Sequence, residues 1–185
     1  RVYLSHTWAK DTLGRDTHAR IHTLHNALVC SAKVDSWFDT EQMNGDVTHT
    51  MCNGIDGCDI VIVCVTRAFI DKCEQVGNSN CKLELHYAYE RKGAARLLPL
   101  VLEADCLDTR TWNGPLGMYL NKRFYLSCTT DDEMLRNVGA IVKEVYRLVQ
   151  RPLPDTSTAT ATNPRTVVAH WCSTVAARKH FQKNQ

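Results

Sequence analysis

The 185-residue sequence has no CxxC pair, no HExxH, no GxGxxG or Walker-type glycine loop, and no apolar run of bilayer length. Each gap removes a class of function. The spacings from Cys52 through Cys58, Cys64 and Cys73 to Cys81 match no zinc-ligand pattern, so no structural metal is expected. His18, His22 and His25 share one helical face at i, i+4 and i+7, but no HExxH accompanies them, and they read as solvated imidazoles. The longest apolar runs, 60–65 and 97–102, fall far short of the roughly 20 residues a spanning helix needs, so no membrane segment is expected. Charge of one sign is also scarce. With 22 basic and 20 acidic residues the net charge is +2, and the pI of about 8.1 gives no basic footprint for nucleic acid.

What is present reads as one globular domain with a tail. A hydrophobic share of 44% and a charged share of 23% are ordinary for a soluble protein, and the length supports one core. The nine cysteines are an odd count without a signal-peptide pattern, and Cys58 and Cys64 bracket an apolar run. They are expected to be reduced, packed thiols in a cytoplasmic setting. The opening on Arg1, directly into a strand pattern, suggests a fragment of something larger.

From residue 2 to about 149, short β-branched or aromatic runs alternate with longer helical patterns, the signature of βα units on a parallel sheet. Strands are expected at 2–5, 34–38, 59–65, 96–102 and 124–127. IVIVCV is apolar at every position, as a central strand covered on both faces should be. Ile21, Leu24, Ala27 and Leu28 form one helical stripe, and Leu135, Val138, Ile141, Val142 and Val145 another. Thr130 caps that last helix ahead of Asp131, Asp132 and Glu133. The domain is expected to span 1–151. Residues 152–165 are a Pro/Thr/Ala linker, and 166–185 a helical extension with a basic end.

Three ordered segments resemble the TIR (Toll/interleukin-1 receptor) family: VYLSHTW at the first strand, DSWFDTEQMNGDV at the second strand and its loop, and NCKLELHYAYERKG before LLPLVLE. The closest flavour is that of protist TIR domains. The resemblance covers roughly 1–150 and implies an α/β flavodoxin-like fold, five parallel strands in the order 2-1-3-4-5 with helices on both faces. It also implies one of two functions. In one, the domain is a non-catalytic adaptor or scaffold that acts by homotypic contact with other TIR domains through the loop 43–47. In the other, it cleaves NAD⁺ at the nicotinamide–ribose bond, giving ADP-ribose or a cyclic isomer. NAD⁺ is then a substrate and no cofactor is needed. A third class, a flavodoxin-like small-ligand receptor, is disfavoured because no phosphate-binding glycine loop follows the first strand.

Glu84 occupies the position that resembles the catalytic glutamate of NAD⁺-cleaving TIR domains. On a helix, Cys81, Leu85 and Ala88 form the buried stripe and Glu84 lies at its edge. The bland alternative is a surface glutamate paired with Lys82 or Arg91. Ligands of open α/β sheets bind beyond the carboxyl ends of strands where connections reverse, which brings in Ser5, His6, Thr7 and Trp8 after the first strand and Trp37, Phe38 and Asp39 after the second. Trp8 or Trp37 could stack on a nicotinamide or adenine ring, while one of Trp37 and Phe38, which alternate across the pleat, belongs to the core. Asn80 stands four residues before Glu84, where an animal member of the family carries an aromatic. The stretch 11–16, with Gly14 and Arg15, could cradle a phosphate at a helix start, but without a GxGxxG or Walker pattern it is expected to cap the first helix through Asp16 or Thr17, leaving Arg15 in solvent.

Overall fold

The computed structural model describes residues 1–38 and 47–153, with the backbone alone at Val47. Asp39, the loop 43–47 up to Val47, the rest of the linker and the extension 166–185 lie outside the described residues. Strands β1 (Val2–Ser5), β2 (Ser36–Trp37), β3 (Ile60–Val65), β4 (Leu97–Val101) and β5 (Leu126–Ser127) form one sheet in the order β2-β1-β3-β4-β5, every pairing parallel. β2 and β5 are two-residue edge strands, shorter than the sequence pattern suggested, because only Val2 and Tyr3 pair with β2 and only Leu100 and Val101 with β5.

All six side chains of β3 are buried, and they alternate between two cores. Ile60, Ile62 and Cys64 meet α1 (Thr17–Asn26), its π-helical continuation Ala27–Ser31, and α7 (Val138–Val149). Val61, Val63 and Val65 meet α2 (Val47–Asp56), α3 (Arg67–Glu74), α4 (Asn80–Lys92) and α5 (Gly114–Leu120). Fully burying each such side chain stabilises the fold by about 1.5–3 kcal/mol, which explains why a run without polar interruption becomes the central strand. Helix starts follow side-chain caps: Asp16 accepts from Ala19 N–H, Thr66 from Phe69 N–H, Ser79 from Lys82 N–H and Thr130 from Glu133 N–H. The segment begun by Thr130 is two helices, α6 (Asp131–Arg136) and α7, broken at Asn137, whose side chain donates to the Ser127 carbonyl at 2.6 Å.

The loop after β1 is held from inside. Asp11 has a fully buried side chain and accepts the N–H groups of Leu13 and Arg15 at 3.0 and 2.8 Å. Gly14, at φ +76°, closes this turn, its N–H donating to the Asp11 carbonyl. Arg15 is not in solvent as the sequence suggested. Its guanidinium donates to Asp11 at 2.6 Å and to the Thr129 carbonyl at 2.7 Å. Arg20, 5% exposed, reaches Asp11, Asp131 and the carbonyls of Leu102 and Cys128. The two arginines therefore satisfy carbonyls just beyond β4 and β5, a task polar backbone must have met when buried. Burial alone would raise the Asp11 pKa, but the Arg15 and Leu13 hydrogen bonds and the Arg15 charge hold it below the usual carboxylate value.

Candidate active site

The chain leaves β1 towards β2 on one side and reaches β3 on the other, so the sheet's reversal point lies at the carboxyl end of β1. There a cavity of about 230 Å³ opens between β1, α2, α3 and α4. Its walls include His6, Trp8, Trp37 and Glu84.

Glu84 sits half-buried on α4, beside the buried stripe of Cys81, Leu85 and Ala88. Neither partner the sequence offered for it is available. Lys82 donates to the carbonyls of Gln75 and Gly77, and Arg91 pairs with Asp56 at 2.8 Å. Among the described residues, hydroxyls of β1 hold the carboxylate instead: Ser5 Oγ donates to Oε2 at 2.6 Å and Tyr3 OH donates to Oε1 at 3.1 Å. Both come from β1, and their i, i+2 spacing puts them on the same face of the strand. Hydroxyl donors on both oxygens fix the plane of the carboxylate.

Tyr3 is itself fixed by a stack. Its ring lies 4.7 Å from that of Trp37 at an interplanar angle of 9°. Gly54 on α2 makes room for the pair, since a Cβ there would stand 2.9 Å from Tyr3 Cε2 and 3.0 Å from Trp37 Cδ2. Trp37 therefore lines the cavity on a partly buried face, while Phe38, 9% exposed, belongs to the opposite core.

The other wall is a pile of rings. Trp8, 51% exposed, stacks on His18 with centroids 3.8 Å apart. His6 Nδ1 faces the Leu4 carbonyl at 3.0 Å and His6 Nε2 faces His18 Nδ1 at 2.8 Å. A carbonyl only accepts, so in the neutral state His6 carries its proton on Nδ1 and receives one from His18. His18, His22 and His25 all lie about 5–6 Å from Phe38, centroid to centroid, and are partly buried. The expectation of solvated imidazoles is corrected: Phe38 gives the histidine stripe an apolar surface to pack on. No group of three His, Cys, Asp or Glu side chains among the described residues could hold a metal ion.

Ser5 thus stands behind Glu84, and His6, Trp8 and Trp37 line the cavity. Thr7 does not line it; its Oγ1 accepts the Ala9 N–H and shapes the turn. Cys81 on the cavity floor has its thiol pushed up to about 11 by burial and by the Glu84 charge, so it is no thiolate nucleophile at neutral pH. Tyr3 and Lys72 escaped the sequence reading. The β1 alternation offered a signal for Tyr3, whereas Lys72 depends on how α3 packs beside α4, which no local pattern encodes.

Residues 2–140 match the family model described as TIR domain. No curated protein matches the chain.

Proposed function

The chain belongs to the TIR domain family of signalling and defence modules, and within it we propose an NAD⁺ glycohydrolase with Glu84 as the essential carboxylate. The observation behind this reading is a half-buried carboxylate, held by two hydroxyls, on the wall of a cavity at the sheet's reversal point. Breaking the nicotinamide–ribose bond sends its electron pair to the pyridinium nitrogen and leaves an oxocarbenium-like sugar. A fixed carboxylate beneath that sugar stabilises the developing positive charge and accepts hydrogen bonds from ribose hydroxyls. Water then joins C1′ and its proton goes to solvent, so NAD⁺ and water become nicotinamide, ADP-ribose and a proton. Attack by an adenine nitrogen in place of water gives a cyclic isomer. Trp8, whose outer face is exposed, offers a ring for stacking.

The test is to incubate the concentrated chain with NAD⁺ and measure nicotinamide. Release that vanishes in Glu84→Ala, with the circular dichroism spectrum retained, supports the reading. A folded, concentrated protein that releases none is an adaptor, working by contacts with other TIR domains.

A further inference from the structure

Among the described residues lining the cavity, Lys72 carries the one ammonium or guanidinium. It lies in the last turn of α3, is partly buried and lines the same space as Glu84 on α4. Among the described residues its ammonium has no hydrogen-bond or ion-pair partner, whereas that of Lys82 on α4 is spent on two backbone carbonyls. Both charges are felt at Cys81 on the floor, the Glu84 carboxylate raising its thiol pKa and the Lys72 ammonium opposing it. Gln75 and Asn80 line the same cavity with neutral amide donors, while the Ser79 hydroxyl donates to the Lys72 carbonyl at 2.6 Å. The cavity is therefore dipolar, with an anion fixed at one wall and an uncommitted cation at another.

From this placement we infer that Lys72 binds the diphosphate of a nucleotide substrate and so makes the site select a dinucleotide over its dephosphorylated riboside. The inference rests on the NAD⁺ reading and deepens it. In NAD⁺ a single ribose separates the glycosidic carbon from the first phosphate, so a carboxylate under that carbon and a cation for that phosphate must share one small cavity. A lysine suits this as a compact point charge on a flexible stem, and the side-chain amides of Gln75 and Asn80 can donate to the remaining phosphate oxygens.

Two measurements on the full chain test it. In the first, ADP-ribose, adenosine and inorganic pyrophosphate are titrated against the wild type, Lys72→Met and Lys72→Arg. Lys72→Met should weaken ADP-ribose by about 10- to 100-fold, the range for one hydrogen bond to a charged group, and Lys72→Arg by much less. Adenosine affinity should be the same in all three. Equal ADP-ribose affinity in the wild type and Lys72→Met overturns the proposal. Pyrophosphate binding as tightly as ADP-ribose also overturns it, leaving a general anion site. In the second, the ratio of kcat/KM for NAD⁺ to that for nicotinamide riboside should fall by a similar factor in Lys72→Met, and an unchanged ratio counts against the proposal. If the wild type cleaves neither, the glycohydrolase reading fails, while the ADP-ribose titration still decides Lys72.

Discussion

Ser5 Oγ lies 2.6 Å from Glu84 Oε2, joining the end of the first strand to a helix 79 positions away. Because Ser5 is 1% exposed, this bond is made out of water's reach, where a donor to a carboxylate counts most. Ser5→Ala should lower kcat for NAD⁺ cleavage by about 10- to 100-fold with KM little changed, since the carboxylate loses its orientation and not its presence. Tyr3→Phe, which removes the longer bond, should cost less. Unaltered kcat in a folded Ser5→Ala protein would show that these hydroxyls only pack.

Gly54 sets the position of that same carboxylate from further away. An alanine in the interior of α2 should gain up to about 1 kcal/mol of helix propensity. Its Cβ, however, would press on Tyr3 Cε2 at 2.9 Å and on the Trp37 indole at 3.0 Å, and such overpacking typically costs about 1–3 kcal/mol. The clash wins, and the tyrosine hydroxyl moves away from Glu84. Gly54→Ala should therefore destabilise the chain by no more than about 2 kcal/mol while altering near-ultraviolet dichroism and lowering turnover. A variant with wild-type spectra and turnover would mean that the ring stack slides without moving Tyr3.

The sheet was legible in the sequence because its strands carry their own signal. IVIVCV could hardly be other than central, and the Cys81, Leu85 and Ala88 stripe places Glu84 at a helix edge from spacing alone. The expected strand 34–38 is longer than β2 because the apolar Val34 and Phe38 beside it are buried without pairing in the sheet. What failed was side-chain company at long range. Arg15 and the three histidines look hydrophilic locally, yet they answer to the Leu102 and Thr129 carbonyls and to the Phe38 ring. Tertiary partners decide whether a polar residue meets water, and no period of 2.0 or 3.6 reports them.

His25 gives the fold a pH dependence of known sign. Burial, and then the nearby His22, hold its imidazole below the ordinary 6.5, while Asp35 pulls the other way. Its Nδ1 faces Ser36 Oγ at 2.6 Å. The folded ring thus resists a proton that the unfolded chain accepts. Its contribution is complete above 6.5 and is lost as pH falls through the folded value. Thermal midpoints should therefore drop between pH 7 and 5, and His25→Gln should flatten that slope. The depressed carboxylates Asp11 and Glu133, with ordinary values of 3.8 and 4.5, act in a separate, more acidic window. Parallel slopes for the wild type and His25→Gln between pH 7 and 5 would exclude His25 as the cause.

Arg20 carries the largest stability prediction. It is 5% exposed and its guanidinium serves two carboxylates and two main-chain carbonyls at once. Removing it takes the guanidinium donor from the Cys128 carbonyl, leaves the Leu102 carbonyl with the longer Arg15 contact of 3.3 Å, and leaves Asp11 with Arg15 as its remaining ionic partner. Breaking a buried pair from one side generally costs about 3–5 kcal/mol, and the surviving Arg15 contact puts Arg20→Ala near the lower end, about 3 kcal/mol. For a domain of this size that corresponds to a fall in Tm of roughly 6–12 °C. Arg20→Lys should recover little of it, because a single ammonium lacks the fork that reaches both carbonyls and Asp131 together. Calorimetry that found Arg20→Ala within about 1 kcal/mol of the wild type would mean that water replaces the guanidinium, and that the loop after β1 is held by Asp11 and Arg15 alone.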